Sequence, residues 1–460
     1  MAPAEFIQQA PTGHQIANQH HRTAQSAHQT GGGAIGFPGL SGPDARFHRN
    51  SYLHRDYALH AKFHYVLPTR FTLAIHSTED LMKRIQIAIL GTGFMGTVHT
   101  ENVRRLGYVD VVAVAGSSPE KSAKFAKEHD IERSGSWQEL CQDPTIEAVH
   151  ICTPNVLHYP QAKLALEHGK HVLCEKPLTM NVAEAKTLVA LAGKKGLANC
   201  IQHNLRNYPL VQNAKAMIAA GEIGEVLVVQ GTYSQDWLLY DTDYNWRIER
   251  EHNGALRAMG DIGSHWMDQI QFLTGLKINE VCADLTTVHA LRKKPKTSIQ
   301  TFAGKKLKPG SYEEVPIDTD DFGMVMLKLG DRAKGCFTVS QVSAGNKNSF
   351  RWEVYGTKGG LSWNQERPDE LWIGHRNEPN QIIIKDGSLM KPAAAAYADL
   401  PGGHSEGYDD SHKQMFKHFY AHILNPKAKA DYPTFADGLH GMTLLAAVLK
   451  SHQKRTWVRA

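Results

Sequence analysis

The sequence is poor in several features that would assign a protein to a class at once. Its six cysteines lie far apart with no Cys-x-x-Cys pair, which argues against disulfides or a metal site and is typical of buried thiols in a reducing compartment. No apolar run reaches the length that crosses a bilayer, and the N-terminus lacks the pattern of a secretory signal. The net charge of +5 is spread along 460 residues without a dense basic block. We therefore expect a cytoplasmic protein with no nucleic-acid or membrane partner.

The first 81 residues differ in composition from the rest of the chain. Residues 1–81 are rich in His, Gln, Ser, Thr and Gly, and they show no sustained hydrophobic period of either strand or helix type. That composition predicts a disordered extension. Met82 stands directly before the first apolar segment, so we expect the extension to be dispensable.

A strand followed by a glycine-rich turn comes next. Ile85–Leu90 is apolar along nearly its whole length, as in a strand that is covered on both faces. Gly91, Gly93 and Gly96 follow in the spacing Gly-x-Gly-x-x-Gly. The first glycine permits a tight turn, the second lets the backbone approach a pyrophosphate, and the third lets the next helix pack closely. Since a helical pattern follows, we predict a dinucleotide site rather than a turn without a ligand.

Strands and helices alternate regularly through residues 82–204. Apolar segments at Val109–Ala115, Ala148–Cys152 and His171–Cys174 are separated by helical patterns. Such alternation is typical of α/β proteins with a doubly wound parallel sheet. We therefore assign residues 82–204 to a dinucleotide-binding domain of the Rossmann type.

The pattern changes near residue 205. From there on, short segments alternate apolar and polar residues with short connections, which predicts an α+β domain with a mostly antiparallel, open sheet. We assign residues 205–460 to this domain, with a helix near Asp261–Leu273 and a last helix that packs back. Residues 375–407 are weakly periodic, and we predict a long surface loop there.

The end of the second strand bears on the choice of cofactor. An acidic residue about 20 positions past the last glycine would bind the ribose 2′-hydroxyl and favour NAD. This chain instead has Gly116, Ser117 and Ser118, with Lys121 one turn later. Hydroxyl groups and a cation accommodate a 2′-phosphate, so we predict NAD(P) with a slight preference for NADP. The serines also suit the N-cap of the next helix, and both roles stay open.

Three further segments carry residues suited to chemistry. Thr153–His158 follows the third strand and Glu175–Pro177 the fourth, and ligands of open α/β sheets bind at these carboxyl ends. Later in the chain, Asp261 and His265 are four residues apart, so they would share one face of a helix. Taken singly, Asp261 also suits a helix N-cap and His265 a core histidine.

These motifs together resemble the Gfo/Idh/MocA family of sugar and cyclitol oxidoreductases. The resemblance covers nearly the whole chain after residue 82. Its motifs are Gly91–Gly96, Thr153–Asn155, Glu175–Pro177, Asp261–Asp268, Tyr355–Gly359 and Pro433–Gly438. The N-terminal extension and the missing acid at position 116 lie outside the family pattern.

The resemblance implies a catalytic group of Lys176, Asp261 and His265. In this interpretation, His265 is the general base that takes the hydroxyl proton while a hydride leaves carbon for the nicotinamide. Lys176 hydrogen-bonds the reacting oxygen and stabilises its developing negative charge. Asp261 orients the substrate hydroxyl or the histidine. The occurrence of these residues together favours catalytic over structural roles.

The same reasoning gives candidate binding residues and no metal ligands. The predicted cofactor-binding residues are Gly91, Gly93, Phe94, Met95, Gly96, Ser117, Ser118, Lys121, Thr153, Asn155, His158, Glu175, Lys176, Trp246 and Arg247. The predicted substrate-binding residues are Asn204, Gln235, Asp236 and Trp237, with Arg206, Tyr240 and Asp243 as further candidates. Aromatic faces pack against sugar rings while polar side chains bind hydroxyl groups. An aromatic residue beside an arginine is also typical of a stacked surface pair.

The resemblance implies an NAD(P)-dependent oxidoreductase that transfers a hydride between nicotinamide and a secondary hydroxyl of a sugar, glycoside or cyclitol. Two alternatives stay open: a redox-neutral NAD-dependent glycosidase, and a non-catalytic sensor of a dinucleotide or sugar. The family also implies a homodimer or homotetramer, with a small-molecule sugar or cyclitol as substrate. In this family pattern, residues 205–460 bind the substrate and form the oligomer contacts.

Overall fold

The structure is a computed structural model that describes residues 84–296 and 310–460. Two sheets form its framework, one parallel and one mostly antiparallel. The predicted disordered extension at residues 1–81 lies outside the described residues. Among the helices of these two stretches, none combines the length and apolarity that a bilayer-spanning segment requires.

The first sheet has six parallel strands with helices between them. The strands are β1 (Ile85–Leu90), β2 (Val109–Ala115), β3 (Arg133–Ser134), β4 (Ala148–Ile151), β5 (His171–Cys174) and β6 (Asn199–Ile201). The helices are α1 (Phe94–Arg104), α2 (Pro119–Glu128), α3 (Trp137–Gln142), α4 (Asn155–Glu167) and α5 (Val182–Lys195). The strand order β3-β2-β1-β4-β5-β6 confirms the predicted doubly wound sheet, whose switch point lies between β1 and β4.

The second sheet has nine strands. The nine strands are β7 (Val226–Ser234), β8 (Ile278–Thr286), β11 (Phe322–Leu329), β12 (Ala333–Ser340), β13 (Ser349–Gly356), β14 (Gly360–Asn364), β15 (Glu370–Gly374), β16 (Gln381–Ile384) and β17 (Val458–Arg459). Two further strands, β9 (Leu291–Pro295) and β10 (Tyr312–Pro316), form a separate two-stranded sheet. The order is β16-β15-β14-β13-β7-β12-β11-β8-β17, and β9 pairs with β10 apart from it. Every neighbouring pair is antiparallel except β7 with β12, which confirms a mostly antiparallel sheet.

Six helices accompany this sheet. They are α6 (Pro209–Ala219), α7 (Arg250–Asn253), α8 (Ser264–Thr274), α9 (Pro392–Ala395), α10 (Tyr408–Leu424) and α11 (Phe435–Lys454). The helix predicted near Asp261–Leu273 is α8, and it is preceded by a wide π-type turn over Met259–Gly263. On the other face of the sheet, Val228, Met324, Met326 and Ile382 are exposed. We call this the outer face.

The prediction of a long loop at 375–407 is wrong. Gln381–Ile384 forms strand β16 at the edge of the sheet, and Pro392–Ala395 forms the short helix α9. Met390 and Tyr397 are buried. Both elements are only one turn or four residues long, so they are too short to give a periodic signal.

The last two helices pack against the first sheet. Phe416, Phe419 and Tyr420 of α10 belong to the same buried cluster as Ile87 and Ile89 of β1. Helix α11 packs against α5 and against β8 of the second sheet. The C-terminal helices therefore join the two sheets, and a cavity lies at the carboxyl ends of the parallel strands.

Candidate active site

A single cavity of about 1120 Å³ collects most of the predicted site residues. The glycine turn, Ser117, Lys121, Thr153, Asn155, Glu175 and Lys176 line it from the first sheet. Tyr233, Gln235, Trp237, Trp246, Arg247, Asp261, His265, Lys347 and Asn348 line it from the second domain. The cavity thus lies where ligands of doubly wound sheets bind.

The glycine turn is shaped by close backbone contacts. Gly91 has a φ of +119°, and a Cβ atom there would lie 2.5 Å from the carbonyl oxygen of Cys152. A Cβ on Gly96 would lie 2.1 Å from the carbonyl oxygen of Gly91, whereas one on Gly93 would meet nothing within 4 Å. Because the middle glycine faces open space beside the start of α1, the turn fits a pyrophosphate group.

The glycine-turn candidates divide into two groups. Phe94 and Met95 line the cavity with Gly91 and Gly93. Gly96 does not line it and instead lets α1 pack on the turn. The five residues therefore form one unit in which four border the cavity and one permits the packing.

The end of β2 shows both roles that the sequence left open. Ser118 caps α2 by accepting a hydrogen bond from the Lys121 main-chain N–H, and it does not line the cavity. Ser117 and Lys121 do line it, and Nζ of Lys121 lies 3.1 Å from Oγ of Ser117. A Cβ atom at Gly116 would lie 2.8 Å from Oγ1 of Thr92, so Thr92 leaves no room there for a larger side chain.

The loop after β4 contributes two residues to the cavity and one to its support. Thr153 and Asn155 line the cavity. Nδ2 of Asn155 lies 2.9 Å from Oδ1 of Asn253, which fixes its orientation. His158 does not line the cavity: its ring nitrogens lie 2.9 Å from the Thr153 carbonyl oxygen and 2.8 Å from that of Pro177. It therefore joins two loops rather than contacting a ligand.

Lys176 and Asp261 form an ion pair on the cavity wall. Nζ of Lys176 donates to Oδ1 of Asp261 at 2.6 Å and to its carbonyl oxygen at 2.8 Å. Nε2 of Gln341 donates to Oδ2 at 2.8 Å, and Nε of Arg247 lies 4.0 Å from Oδ1. Burial raises the pKa of Asp261, but the charges of Lys176 and Arg247 and the hydrogen bonds lower it more. The net pKa is below its usual range, so Asp261 is a carboxylate.

His265 lines the same cavity from the first turn of α8. Its ring packs edge-on against His203, with the centroids 5.4 Å apart. Burial, together with the charge of Lys176, places the pKa of His265 well below its usual value, so the imidazole is neutral and available as a hydrogen-bond or proton acceptor. Asp261 bonds to Lys176 and Gln341, so the predicted alternative in which it orients the histidine is not what these contacts show.

Some of the predicted substrate-binding residues line the cavity, and one of them does not. Gln235 and Trp237 line the cavity, and their side chains are hydrogen-bonded to each other at 2.9 Å. Asn204 also lines it, and its amide donates to Oγ of Ser411. Asp236 does not line it, and its carboxylate accepts a hydrogen bond from Nζ of Lys347 at 2.7 Å.

The three further candidates also lie off the cavity wall. Arg206 is buried in ion pairs with Asp268 and Asp437. Tyr240 is 63% exposed, and Asp243 accepts a hydrogen bond from its main-chain N–H. Sequence proximity to polar and aromatic residues was therefore a poor guide for these positions.

Trp246 and Arg247 combine the two roles that were considered for them. The Arg247 guanidinium lies 4.5 Å from the centroid of the Trp246 ring, in a stacked arrangement. Both residues also line the cavity. The stack thus belongs to the cavity wall.

Two family models match this chain. One, described as an oxidoreductase family with an NAD-binding Rossmann fold, matches residues 85–203. The other, described as the GFO/IDH/MocA C-terminal domain, matches residues 211–362. Together they cover more than half of the chain. The chain belongs to the Gfo/Idh/MocA oxidoreductase family. Its NAD-binding Rossmann domain confirms the predicted resemblance and fold.

Other Gfo/Idh/MocA proteins are similar over most of the chain. A levoglucosan dehydrogenase from Pseudarthrobacter phenanthrenivorans is 29% identical over 402 residues, which are 82% of this chain and 98% of the relative. A solved levoglucosan dehydrogenase in complex with NADH and levoglucosan has a TM-score of 0.73 at 28% identity, and the match covers 82% of this chain and 99% of that one. An oxidoreductase domain protein from Kribbella flavida has a TM-score of 0.74 at 29% identity over the same shares.

Several residues around the cavity of this Gfo/Idh/MocA protein were missed by sequence reasoning. Gln341 is fully buried at the end of β12 and bonds to Asp261, while Oδ1 of Asn348 accepts hydrogen bonds at 2.8 Å from Tyr233 and from the predicted residue Gln235. His412 of α10 also lines the cavity. None of these residues lies in a local motif, and only the alternation of β7 and β12 hints at which side chains point inward.

Proposed function

We propose that this protein is an NAD(P)-dependent dehydrogenase that transfers a hydride between nicotinamide and a secondary hydroxyl of a sugar, glycoside or cyclitol. The observation that carries the proposal is the convergence of Lys176, Asp261 and His265 on one cavity that also contains the glycine turn. Such a cavity offers an anion site, a cation and a neutral imidazole within one enclosure.

Lys176, His265 and Asp261 each have a separate role in the proposed alcohol oxidation. A bound nicotinamide cofactor supplies the hydride acceptor or donor. Lys176, held by Asp261, donates a hydrogen bond to the reacting oxygen and stabilises its negative charge. His265 is neutral and accepts the hydroxyl proton at a ring nitrogen. Because Asp261 is a carboxylate, it pairs with the lysine and orients its Nζ.

The polar lining of the second domain supports a small polyhydroxylated substrate. Gln235, Tyr233 and Asn348 form a hydrogen-bonded group beside Trp237. Such a group presents amide and hydroxyl functions together with an aromatic ring, as sugar sites do. The relative named levoglucosan dehydrogenase supports an anhydro-sugar or pyranose among the candidates.

The cofactor end of the cavity supports NADP as well as NAD. Ser117 and Lys121 line it, and no carboxylate stands at position 116. A cation and a hydroxyl group attract a 2′-phosphate, whereas an acid would repel one. NADH is the cofactor in the solved complex of the levoglucosan dehydrogenase, so a preference for NADP would set this chain apart.

The outer face supports a homo-oligomer. Met324 and Met326 are about half exposed on β11, and Val228 and Ile382 extend the apolar area across the sheet. Exposed apolar patches of this kind mark interaction surfaces. A Met326→Glu variant that lowers the mass in sedimentation experiments would support a dimer or tetramer through this face.

The six free cysteines support function in the cytoplasm, a reducing compartment.

Thermal-shift measurements with NAD and NADP, alone and with a panel of sugars and cyclitols, test the proposed function. A ligand that binds the folded state raises the melting temperature. We expect stabilisation by a dinucleotide, and a change in nicotinamide absorbance with at least one sugar. Binding of dinucleotide and sugar without any absorbance change would contradict the dehydrogenase, and cleavage of a glycoside without net cofactor reduction would identify the redox-neutral alternative.

A further inference from the structure

A line of four hydrogen-bonded side chains leads from the cavity wall into the core of the first domain. Oε1 of Glu175 lies 3.1 Å from Nε2 of His99, and Nδ1 of His99 lies 3.0 Å from Nδ1 of His150. Nε2 of His150 lies 2.6 Å from the hydroxyl oxygen of Tyr420. Glu175 borders the cavity, whereas the other three side chains are fully buried. We call these four residues the buried relay.

The members of the relay come from four separate elements. His99 lies on α1, His150 on β4 and Tyr420 on α10, while Glu175 follows β5. No single motif brings them together, and their contacts depend on α10 packing over the first sheet. Because buried polar groups are costly without partners, an unbroken line across four elements is a specific arrangement.

The donors and acceptors of the relay satisfy each other in one direction. A carboxylate only accepts, so Nε2–H of His99 donates to Glu175. With one ring hydrogen on each imidazole, Nδ1–H of His150 donates to Nδ1 of His99, and the Tyr420 hydroxyl donates to Nε2 of His150. The tautomer of each histidine is therefore fixed by its partners.

The ionisation of the relay's ends agrees with this direction. Burial raises the pKa of the Tyr420 hydroxyl well above its usual value, so it keeps its proton. Burial is the main cause that places the pKa of His150 well below its usual value. Burial also raises the pKa of Glu175, but its hydrogen bond with His99 and the positive charge of Lys176 are among the effects that outweigh burial, so its net pKa is below the usual range.

We propose that His99, His150 and Tyr420 are positioning residues that hold Glu175 as an oriented carboxylate on the cavity wall, where its charge favours the oxidised, cationic form of the bound dinucleotide. The inference rests on the proposed function, since it requires a nicotinamide cofactor in the cavity. It extends that function to a residue, Tyr420, that does not line the cavity.

Binding of the oxidised and reduced dinucleotide tests the charge. A carboxylate attracts the nicotinamide cation but not the neutral reduced ring. We expect Glu175→Gln to weaken the oxidised form relative to the reduced form by about tenfold, because the charge is lost. Tyr420→Phe should change this ratio in the same direction by about threefold or more. Tyr432→Phe is the matched control, because Tyr432 is a buried tyrosine in the same cluster but outside the relay.

If Tyr420→Phe binds the oxidised and reduced dinucleotides in the same ratio as wild type and Tyr432→Phe, the relay is overturned. If Glu175→Gln leaves this ratio unchanged, the role of the charge is overturned. Nitrogen NMR of the cofactor-free wild type is the second measurement. It tests the relay even if the Tyr420→Phe variant does not fold, because it needs no variant. It should find His99 protonated at Nε2 and His150 at Nδ1, and the opposite tautomers would refute the inference. A wild type that binds neither dinucleotide form but has these tautomers would refute the proposed function and the charge role while leaving the hydrogen-bond direction supported.

Discussion

Nζ of Lys176 lies 2.6 Å from the Asp261 carboxylate and 2.8 Å from the carbonyl oxygen of the same residue. Both contacts depend on the π-type turn Met259–Gly263, which directs the main-chain and side-chain oxygens of one residue to the same place. π-Type turns are frequent at functional sites. The lysine is therefore positioned by a backbone distortion as well as by a charge.

Removing the ammonium group of Lys176 should slow turnover strongly while leaving dinucleotide binding nearly unchanged. For Lys176→Met we expect kcat to fall by about 10²- to 10³-fold, because the charge on the reacting oxygen loses its main donor. Steady-state kinetics and the dinucleotide Kd measure the two effects separately. Lys163→Met is the control, because Lys163 forms an exposed pair with Glu167 and does not line the cavity. Wild-type kcat in Lys176→Met would argue against the proposed chemistry.

The buried amide of Gln341 should stabilise the ion pair between Lys176 and Asp261. Its Nε2 donates to Asp261 and its Oε1 accepts from Nη1 of the buried Arg257 at 3.2 Å. Gln341→Met leaves both partners without this amide, so we expect a loss of about 1–3 kcal/mol in the free energy of unfolding.

A carboxylate at the same position separates stability from catalysis. Gln341→Glu places a second negative charge beside Asp261, which raises the pKa of the Asp261 carboxyl. We expect kcat to fall and the acidic limb of the pH profile to move to higher pH. Gln138→Glu on α3 is the control, since Gln138 is exposed and does not line the cavity. An unmoved acidic limb in Gln341→Glu would show that Asp261 does not depend on this amide.

Cofactor choice should respond to charge at the end of β2. An acid at Gly116 would collide with Thr92, so the test uses Ser117→Asp. We expect it to weaken NADP relative to NAD by about tenfold or more, which is about 1.4 kcal/mol, because a carboxylate repels the 2′-phosphate. Lys121→Ala should act in the same direction. Dissociation constants from fluorescence titration measure the ratio, and equal effects on both dinucleotides would place the 2′-position elsewhere.

Acid should destabilise the protein before its carboxylates titrate. Burial is the main reason that the pKa values of His150, His203, His265 and His412 are lowered, that of His412 to about 4. These groups take up protons on unfolding, so stability is fully present above about pH 6.5 and is lost as the pH falls below it. His412 alone accounts for about 2 kcal/mol at pH 5. Burial raises the pKa of Asp320 to about 6 and also raises that of Asp243, and these two groups act in the opposite direction.

Urea unfolding followed by tryptophan fluorescence between about pH 7.5 and 5 checks the sign. We expect the midpoint to fall steadily over this range, and the fall to be smaller in His412→Gln. A midpoint that stays constant or rises on acidification would mean that these histidines are protonated in the folded state.

The sequence predicts best where a feature is local. The apolar run Ile85–Leu90 and the three glycines specify a strand, a turn and a helix through contacts within one short segment, and the structure has all three. Lys176, Asp261 and His265 were found because each stands in a motif. Their presence in one cavity agrees with that prediction, whereas their roles in catalysis stay a proposal.

The sequence predicts least where a contact joins distant segments. Gln341 lies 80 residues from Asp261, and nothing near it in the chain marks it as a partner. Asp236 stands between two cavity residues, yet its carboxylate binds the main-chain N–H of Gly345 and Nζ of Lys347, which lie 109 and 111 residues later in the chain. His158 was predicted to bind the cofactor because it lies in the segment after the third strand, but it joins two loops. Long-range pairing decides each of these cases.

The position of α10 has a consequence for biosynthesis. Phe416, Phe419 and Tyr420 cover one side of a sheet whose first strand is Ile85–Leu90, so that side stays open on the ribosome until the end of the chain emerges. A nascent chain must keep this apolar surface from other contacts for most of translation. Loss of the C-terminal helices should therefore yield an aggregating fragment instead of an independent nucleotide-binding module, because the first domain is completed last.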